Sequence, residues 1–160
     1  MHIIKLNATD STNNYLRALY AKESLTDFTS VIAKEQTQGR GQMGAVWESQ
    51  ASKNLTFSVF KDLGGFSLEH PFYISITVAL ALIRTLEFFL IPRFSVKWPN
   101  DILSVDKKIC GVLIENVIKN SSVEASIIGI GLNVHQTEFE NLPQASSLKN
   151  ISGSMYNLDE

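Results

Sequence analysis

The stretch Glu35-Gln36-Thr37-Gln38-Gly39-Arg40-Gly41-Gln42-Met43-Gly44-Ala45-Val46-Trp47 joins two strand-like segments, residues 30–36 and 55–60. Three glycines, Gly39, Gly41 and Gly44, remove side chains where a backbone must bend sharply or come close to a ligand. Successive N–H groups in such a loop form a concave anion site. Arg40 adds a planar, permanently charged fork at its middle. Two readings stay open on this stretch alone: a loop that closes over a phosphate or carboxylate, and a surface connection carrying one solvated arginine.

Working outward, Leu55, Phe57 and Val59 alternate with Thr56, Ser58 and Phe60, the pattern of a half-buried strand. On the N-terminal side, residues 2–6 read as a short first strand. Asp10-Ser11-Thr12-Asn13 then supplies consecutive N-cap residue types before a helix that Leu16, Leu19 and Tyr20 carry to about residue 22. Backbone N–H groups and hydroxyls converge at that helix start, and capping alone accounts for Ser11 and Thr12.

On the C-terminal side, Gly64-Gly65 breaks the chain and Pro71 sits in the first turn of a long helix. Phe72, Ile76, Leu80 and Ile83 on one side and Val78, Leu82 and Leu86 on another make this helix apolar nearly all round, which predicts a buried central helix ended by Pro92. Phe94-Ser95-Val96-Lys97-Trp98-Pro99-Asn100-Asp101 follows. Pro99 cannot donate to a ladder, so the strand stops near Trp98, with Lys97 at its end and Asn100 and Asp101 in a turn. A lysine there is either solvated or placed beside a ligand.

Residues 102–105 and 108–118 read as a hairpin. Its second strand sends Cys110, Val112 and Ile114 to one face and Gly111, Leu113 and Glu115 to the other. Gly111 inside the strand marks a close approach or a bulge, and Cys110 reads as a small core residue. Residues 123–134 form a long strand opened by Gly129 and Gly131, with Asn133 at its exit, and residues 135–156 read as irregular. Asn157-Leu158-Asp159-Glu160 is a capping-box start, which predicts a chain that continues.

The chain has 160 residues, 44% hydrophobic and 19% charged, a composition that fits one globular domain. A net charge of −2 without a basic block gives no support to a nucleic-acid footprint. Cys110 is the single cysteine, so no internal disulfide or zinc-binding cysteine cluster exists. His2, His70 and His135 have no spacing that suggests a catalytic set or a metal site. The N-terminus is too short and mixed for a signal peptide, and the apolar run between His70 and Arg84 is too short to span a bilayer. The expectation is a soluble, cytoplasmic protein with no membrane contact.

Five segments occur in order: Asp10–Asn13, Gln36–Gly44, Lys97-Trp98-Pro99-Asn100-Asp101, Gly111-Val112-Leu113-Ile114-Glu115 and Gly129-Ile130-Gly131-Leu132-Asn133. Together they strongly resemble the catalytic domain of biotin protein ligases, over residues 1 to about 150. The resemblance implies an α+β fold, a mixed β-sheet flanked by helices, related to class II aminoacyl-tRNA synthetases and lipoate ligases. It implies an ATP-dependent ligase that activates biotin as biotinyl-5′-AMP. The acyl group then passes to a lysine of the biotin carboxyl carrier protein of acetyl-CoA carboxylase.

By the same resemblance, Ser11, Thr12, Asn13 and Gln36 would bind the ureido head of biotin. Arg40, Gly41, Gln42 and Lys97 would surround its carboxylate and the phosphate joined to it, with Arg40 and Lys97 as the catalytic cations. Gly111 and Leu113 would line the apolar wall, and Trp47, Asn100 and Asn133 would lie on the nucleotide side. Mg²⁺ would ride on the triphosphate, with no metal held by the protein itself.

The loop departs from the family pattern Gly-Arg-Gly-Arg-Arg-Gly, because Gln42 and Met43 replace the second and third arginines and Ala45 stands where a basic residue is frequent. The expectation is a single catalytic domain over residues 1–160, truncated at the C-terminus and without an N-terminal DNA-binding domain, hence no DNA partner. Monomer and homodimer both remain open. The competing readings are a lipoate–protein ligase and a non-catalytic module that binds biotin or its adenylate.

Overall fold

The computed structural model describes residues 2–67, 71–89 and 91–158. Its framework is a seven-stranded sheet: β1 (Ile3–Thr9), β2 (Ser30–Gln36), β3 (Leu55–Ser67), β4 (Phe94–Lys97), β5 (Asp101–Ser104), β6 (Lys107–Lys119) and β7 (Ser122–Leu132). The strand order is β1-β2-β3-β7-β6-β5-β4. β1 and β2 are parallel and every other neighbouring pair is antiparallel. Among the described residues three α-helices accompany the sheet: α1 (Thr12–Tyr20), α2 (Phe72–Glu87) and the short α3 (Leu148–Ser152). This is the mixed sheet with flanking helices that the sequence predicts.

Two-residue alternation divides the sheet into two faces. Under α1, the fully buried Leu16 packs with Val31, Phe60, Ala125 and Ile127. On the opposite face, Leu82, Ile83 and Leu86 of α2 meet Leu55, Ile102, Cys110, Ile130 and Leu132. Burial pushes the Cys110 thiol up to about 12, which fits its reading as a core residue.

Several elements differ from expectation. α2 is an outer layer, not the central helix: among its described side chains only Ile74 and Leu86 are buried, while Phe72, Tyr73 and Leu80 are exposed. Its all-round hydrophobicity exceeds what one contact face with the sheet can bury. It also ends at Glu87, ahead of Pro92. Gly64-Gly65 does not end β3; the strand continues past a register shift between Asp62 and Phe66, and Gly64 takes a positive φ of 57°. A bulge thus absorbs the glycines while the ladder resumes. β1 runs three residues beyond Leu6, because parallel pairing carries it to Thr9 opposite Gln36. The irregular C-terminal segment contains α3, capped by Ser147 accepting from the Asn150 N–H and closed by Gly153 at φ 73°. His70, Asp159 and Glu160 lie outside the described residues, so the capping-box reading at 157–160 does too.

The contrast between the two helices is measurable. Leu16→Ala, under α1, lowers the unfolding free energy by about 2–5 kcal/mol in urea denaturation. Leu80→Ala, on the outer side of α2, changes it by less than about 0.5 kcal/mol.

Candidate functional site

Parallel pairing of β1 and β2 brings the chain exits from both strands to one end of the sheet. There α1 begins and the glycine loop leaves β2, joined by Thr37 N–H to Thr9 O and Gln38 N–H to Asp10 O, each 2.9 Å. Ser11 stands at the N-cap position of α1, but its side chain makes no cap bond. The capping comes instead from Gln36: its Oε1 accepts from the Thr12 N–H at 2.8 Å and from the Thr12 hydroxyl at 3.0 Å. Capping by Ser11 and Thr12 themselves is therefore corrected. A neighbouring strand end caps the helix from 24 residues away, which local spacing cannot reveal.

Beneath α1 the fully buried Ser58 donates to Asn13 Oδ1 at 2.6 Å and lies 2.8 Å from Thr12 Oγ1. Asn13 Nδ2 donates to Glu115 Oε2 at 2.7 Å and reaches Leu113 O at 3.4 Å. The acceptor-only carboxylate fixes which end of the Asn13 amide points to β6. Ser58 and Glu115 are members of this network that sequence reasoning missed as site residues. The signal for Ser58 was a polar residue on the same strand face as Phe60.

The floor of the site is made by glycines. Gly111 and Gly131 pair across β6 and β7, and Gly129 pairs with Leu113 and with Ser58. A Cβ on Gly129 would stand 2.4 Å from Asn13 Oδ1, and one on Gly131 would stand 2.3 Å from Cε2 of Trp47. On Gly111 it would meet Cζ3 of the same indole at 2.8 Å. The close-approach reading of Gly111 is correct, and the approaching group is Trp47.

The loop itself is folded. Gly41 N–H donates to Ala45 O at 2.7 Å and Trp47 N–H to Gly39 O at 3.0 Å, with a tight turn at Gln42–Gly44 in which Met43 and Gly44 have φ of 52° and 81°. Arg40 reaches across to β6, its Nη2 2.7 Å from Glu115 Oε2.

These parts enclose a pocket of about 360 Å³, within the range of small-molecule sites. Ser11, Thr12, Asn13 and Gln36 line one end; Arg40, Gly41, Gln42 and Trp47 come from the loop. Asn100, Asp101, Lys108, Gly111 and Leu113 come from the turn after β4, from β5 and from β6. Asn100 is held by Nδ2 donating to Val112 O at 3.2 Å. Lys97 and Asn133 are not brought into the lining. Lys97 is exposed at the end of β4, with its backbone paired to Asp101. Asn133 is buried beyond Gly131, its Nδ2 donating to Ser146 O at 3.0 Å.

The lysine that the structure does bring in, beside Arg40 of the loop, is Lys108. Its Nζ is 2.7 Å from Asp101 Oδ1 and lies 5.5 Å from the centroid of the Trp47 ring. The sequence reading gives it no role beyond that of first residue of a hairpin strand. Trp47 Nε1 and Asn133 Oδ1 are buried without hydrogen-bond partners; of the two residues only Trp47 lines the pocket, where a bound polar group would relieve the cost of its open N–H. Among the described residues no cluster of His, Cys, Asp and Glu is arranged to hold a metal.

Comparison with known proteins gives a consistent result. Residues 6–133 match the model of the biotin/lipoate A/B protein ligase family. The bifunctional ligase/repressor BirA of Bacillus spizizenii is 32% identical over 154 residues, which span 96% of this chain and 46% of that protein. The biotin–[acetyl-CoA-carboxylase] ligase of Paracoccus denitrificans is 35% identical over 131 residues, 81% of this chain and 53% of that one. The structure of biotin protein ligase from Aquifex aeolicus in complex with biotin and ATP superposes with a TM-score of 0.75 at 33% identity, covering 99% of this chain and 64% of that one. The chain thus spans about half the length of the curated relatives it matches.

Trp47 gives the floor a direct readout. In a Trp98→Phe background, Gly131→Ala forces the indole off the sheet, and its emission moves to longer wavelength with easier iodide quenching. An unchanged emission spectrum would show that the glycine is not what seats the ring.

Proposed function

The chain belongs to the biotin/lipoate A/B protein ligase family, and from that premise we propose that it activates biotin with ATP to biotinyl-5′-AMP. The acyl group then passes to a lysine of the biotin carboxyl carrier protein of acetyl-CoA carboxylase. One observation carries this reading: a single pocket unites the α1 polar set, the glycine loop, a three-glycine floor and the cation Lys108. The relative crystallised with biotin and ATP supports the choice of substrates.

In the first step a biotin carboxylate oxygen attacks the α-phosphorus of ATP, and pyrophosphate leaves with the electron pair of the broken P–O bond. Two anions must approach, so fixed positive charge lowers the barrier. Lys108 and Arg40 supply it from the pocket wall, and Lys97 from the end of β4 beside the pocket residues Pro99 to Asp101. Mg²⁺ enters as part of the nucleotide and neutralises its phosphates. In the second step the carrier lysine amine attacks the acyl carbon, AMP departs with the former carboxylate oxygen, and the amine loses its proton.

Ser11, Thr12, Asn13 and Gln36 take the ureido head. Thr12, Asn13 and Gln36 are already fixed by hydrogen bonds, so little rotamer freedom is lost when they bind. Gly41 and Gln42 face the carboxylate, and Gly111 and Leu113 form the apolar wall together with the Trp47 indole that covers Gly111. Trp47 and Asn100 belong to the nucleotide side, and Asn133 lies outside the pocket lining. The proposed place of action is the cytoplasm, as monomer or homodimer.

The test is ATP–pyrophosphate exchange with Mg²⁺, run with biotin and with lipoate. Exchange with biotin alone is expected. Exchange with lipoate alone would move the reading to lipoate ligation, and biotin binding without exchange would leave a binding module. Lys97→Ala is expected to reduce exchange by on the order of 10²-fold with the fold intact, since the side chain is exposed. Near-normal exchange in that variant would remove Lys97 from the chemistry and leave Lys108 as the acting lysine.

A further inference from the structure

We infer that Glu115 is a positioning residue that ties the glycine loop to the polar end of the pocket, so that acid binding and loop docking are one event. The inference rests on the biotin reading for its ligand and on geometry alone for the tie. Glu115 stands on the same face of β6 as Gly111 and Leu113, beyond the pocket lining. Its Oε2 accepts from Arg40 Nη2 and from Asn13 Nδ2, both at 2.7 Å, and its Oε1 lies 3.3 Å from Arg17 Nη2 of α1. A carboxylate has acceptor sites for all three donors at once, so these bonds reinforce one another and do not compete.

Arg40 is the only charged residue between Gln36 and Trp47. The hydrogen bonds Gly41–Ala45 and Trp47–Gly39 shape the loop internally and give it no hold on the sheet. Beyond the backbone bonds at its entry, from Thr37 to Thr9 and from Gln38 to Asp10, the loop is docked at two points: Trp47 packs on Gly111 and Gly131, and Arg40 is paired with Glu115. The second point is shared with Asn13, whose opposite end is fixed by Ser58. A ligand that orders Asn13 therefore stabilises the Glu115 rotamer that receives Arg40. By linkage, a docked Arg40 also favours the Asn13 orientation that the ligand meets.

Stability is not the reason for this pair. Arg40 is 41% and Glu115 18% exposed, and partly exposed ion pairs contribute little to folding. Arg40 also keeps further N–H donors for the pocket while Nη2 is engaged.

The Arg40–Gly41 bond is a tryptic site, which gives a readout on the ligand-free chain. In Glu115→Gln, cleavage at Arg40 relative to cleavage at Arg84 is expected to rise about tenfold, the release of a contact near 1.4 kcal/mol, with the melting temperature unchanged. The KM for biotin in pyrophosphate exchange is expected to rise by a similar factor while kcat holds, and Glu115→Asp recovers part of both effects. A merely structural role would lower the melting temperature or kcat and leave KM in place. A cleavage ratio equal to that of the parent chain, or an unchanged KM, overturns the inference. If the parent chain shows no exchange with biotin, the biotin reading fails while the cleavage ratio still decides whether Glu115 holds the loop.

Discussion

Three missing side chains set the shape of this molecule. At Gly111, Gly129 and Gly131 the central strands β6 and β7 expose bare backbone, and Trp47 and Asn13 approach to where Cβ atoms would otherwise stand. No other residue type permits that contact: even a methyl group would lie under 3 Å from the indole or the amide. Glycine weakens a strand by loss of packing and added backbone freedom. Here the sheet recovers contact from above, where a loop indole and a helix amide take the space the strands vacate. α1 can then sit low enough for Asn13 and Thr12 to reach Ser58, and the loop can end on a flat aromatic lid.

The polar groups around this floor are arranged at different levels of satisfaction. Thr12, Asn13, Gln36 and Ser58 form a closed network beneath α1, which makes that end rigid and directional. Trp47 Nε1, on the pocket wall, is buried without a partner. Such a group costs about 1–3 kcal/mol when its bond is left unmade, and a site that binds a polar ligand recovers that cost. Lys108 is held by Asp101 and rests over the indole. The pocket thus combines neutral polar groups, a charged pair and an open indole N–H, a set that suits an acid recognised at its head and activated at its carboxylate.

Local patterns in the sequence predicted what depends on local physics. Alternation through residues 55–60 and 108–118 signals β3 and the two faces of β6, and the internal glycine at 111 signals a close neighbour. The motifs at 10–13, 36–44 and 111–115 also led to residues that meet in one pocket. What depended on tertiary pairing was less legible. The cap on α1 comes from Gln36 across the parallel pair, so the N-cap residue types at 10–13 were read as self-capping. α2 is apolar enough for a core helix but meets one sheet face only. Lys97 stood out beside Trp98 and Pro99, whereas Lys108, in a plain strand opening, is the lysine that folds into the pocket.

The glycine floor and the α1 terminus are the proposed binding surface for biotin, and amide chemical shifts map that surface directly. With ¹⁵N-labelled protein and saturating biotin, the largest shifts are expected at Ser11 to Asn13, Gln36, Gly111, Gly129 and Gly131, with the Trp47 indole N–H moving among them. Shifts confined to other parts of the sheet, or none at saturation, would contradict the account, because the residues gathered on this floor would then not be the place where the acid binds.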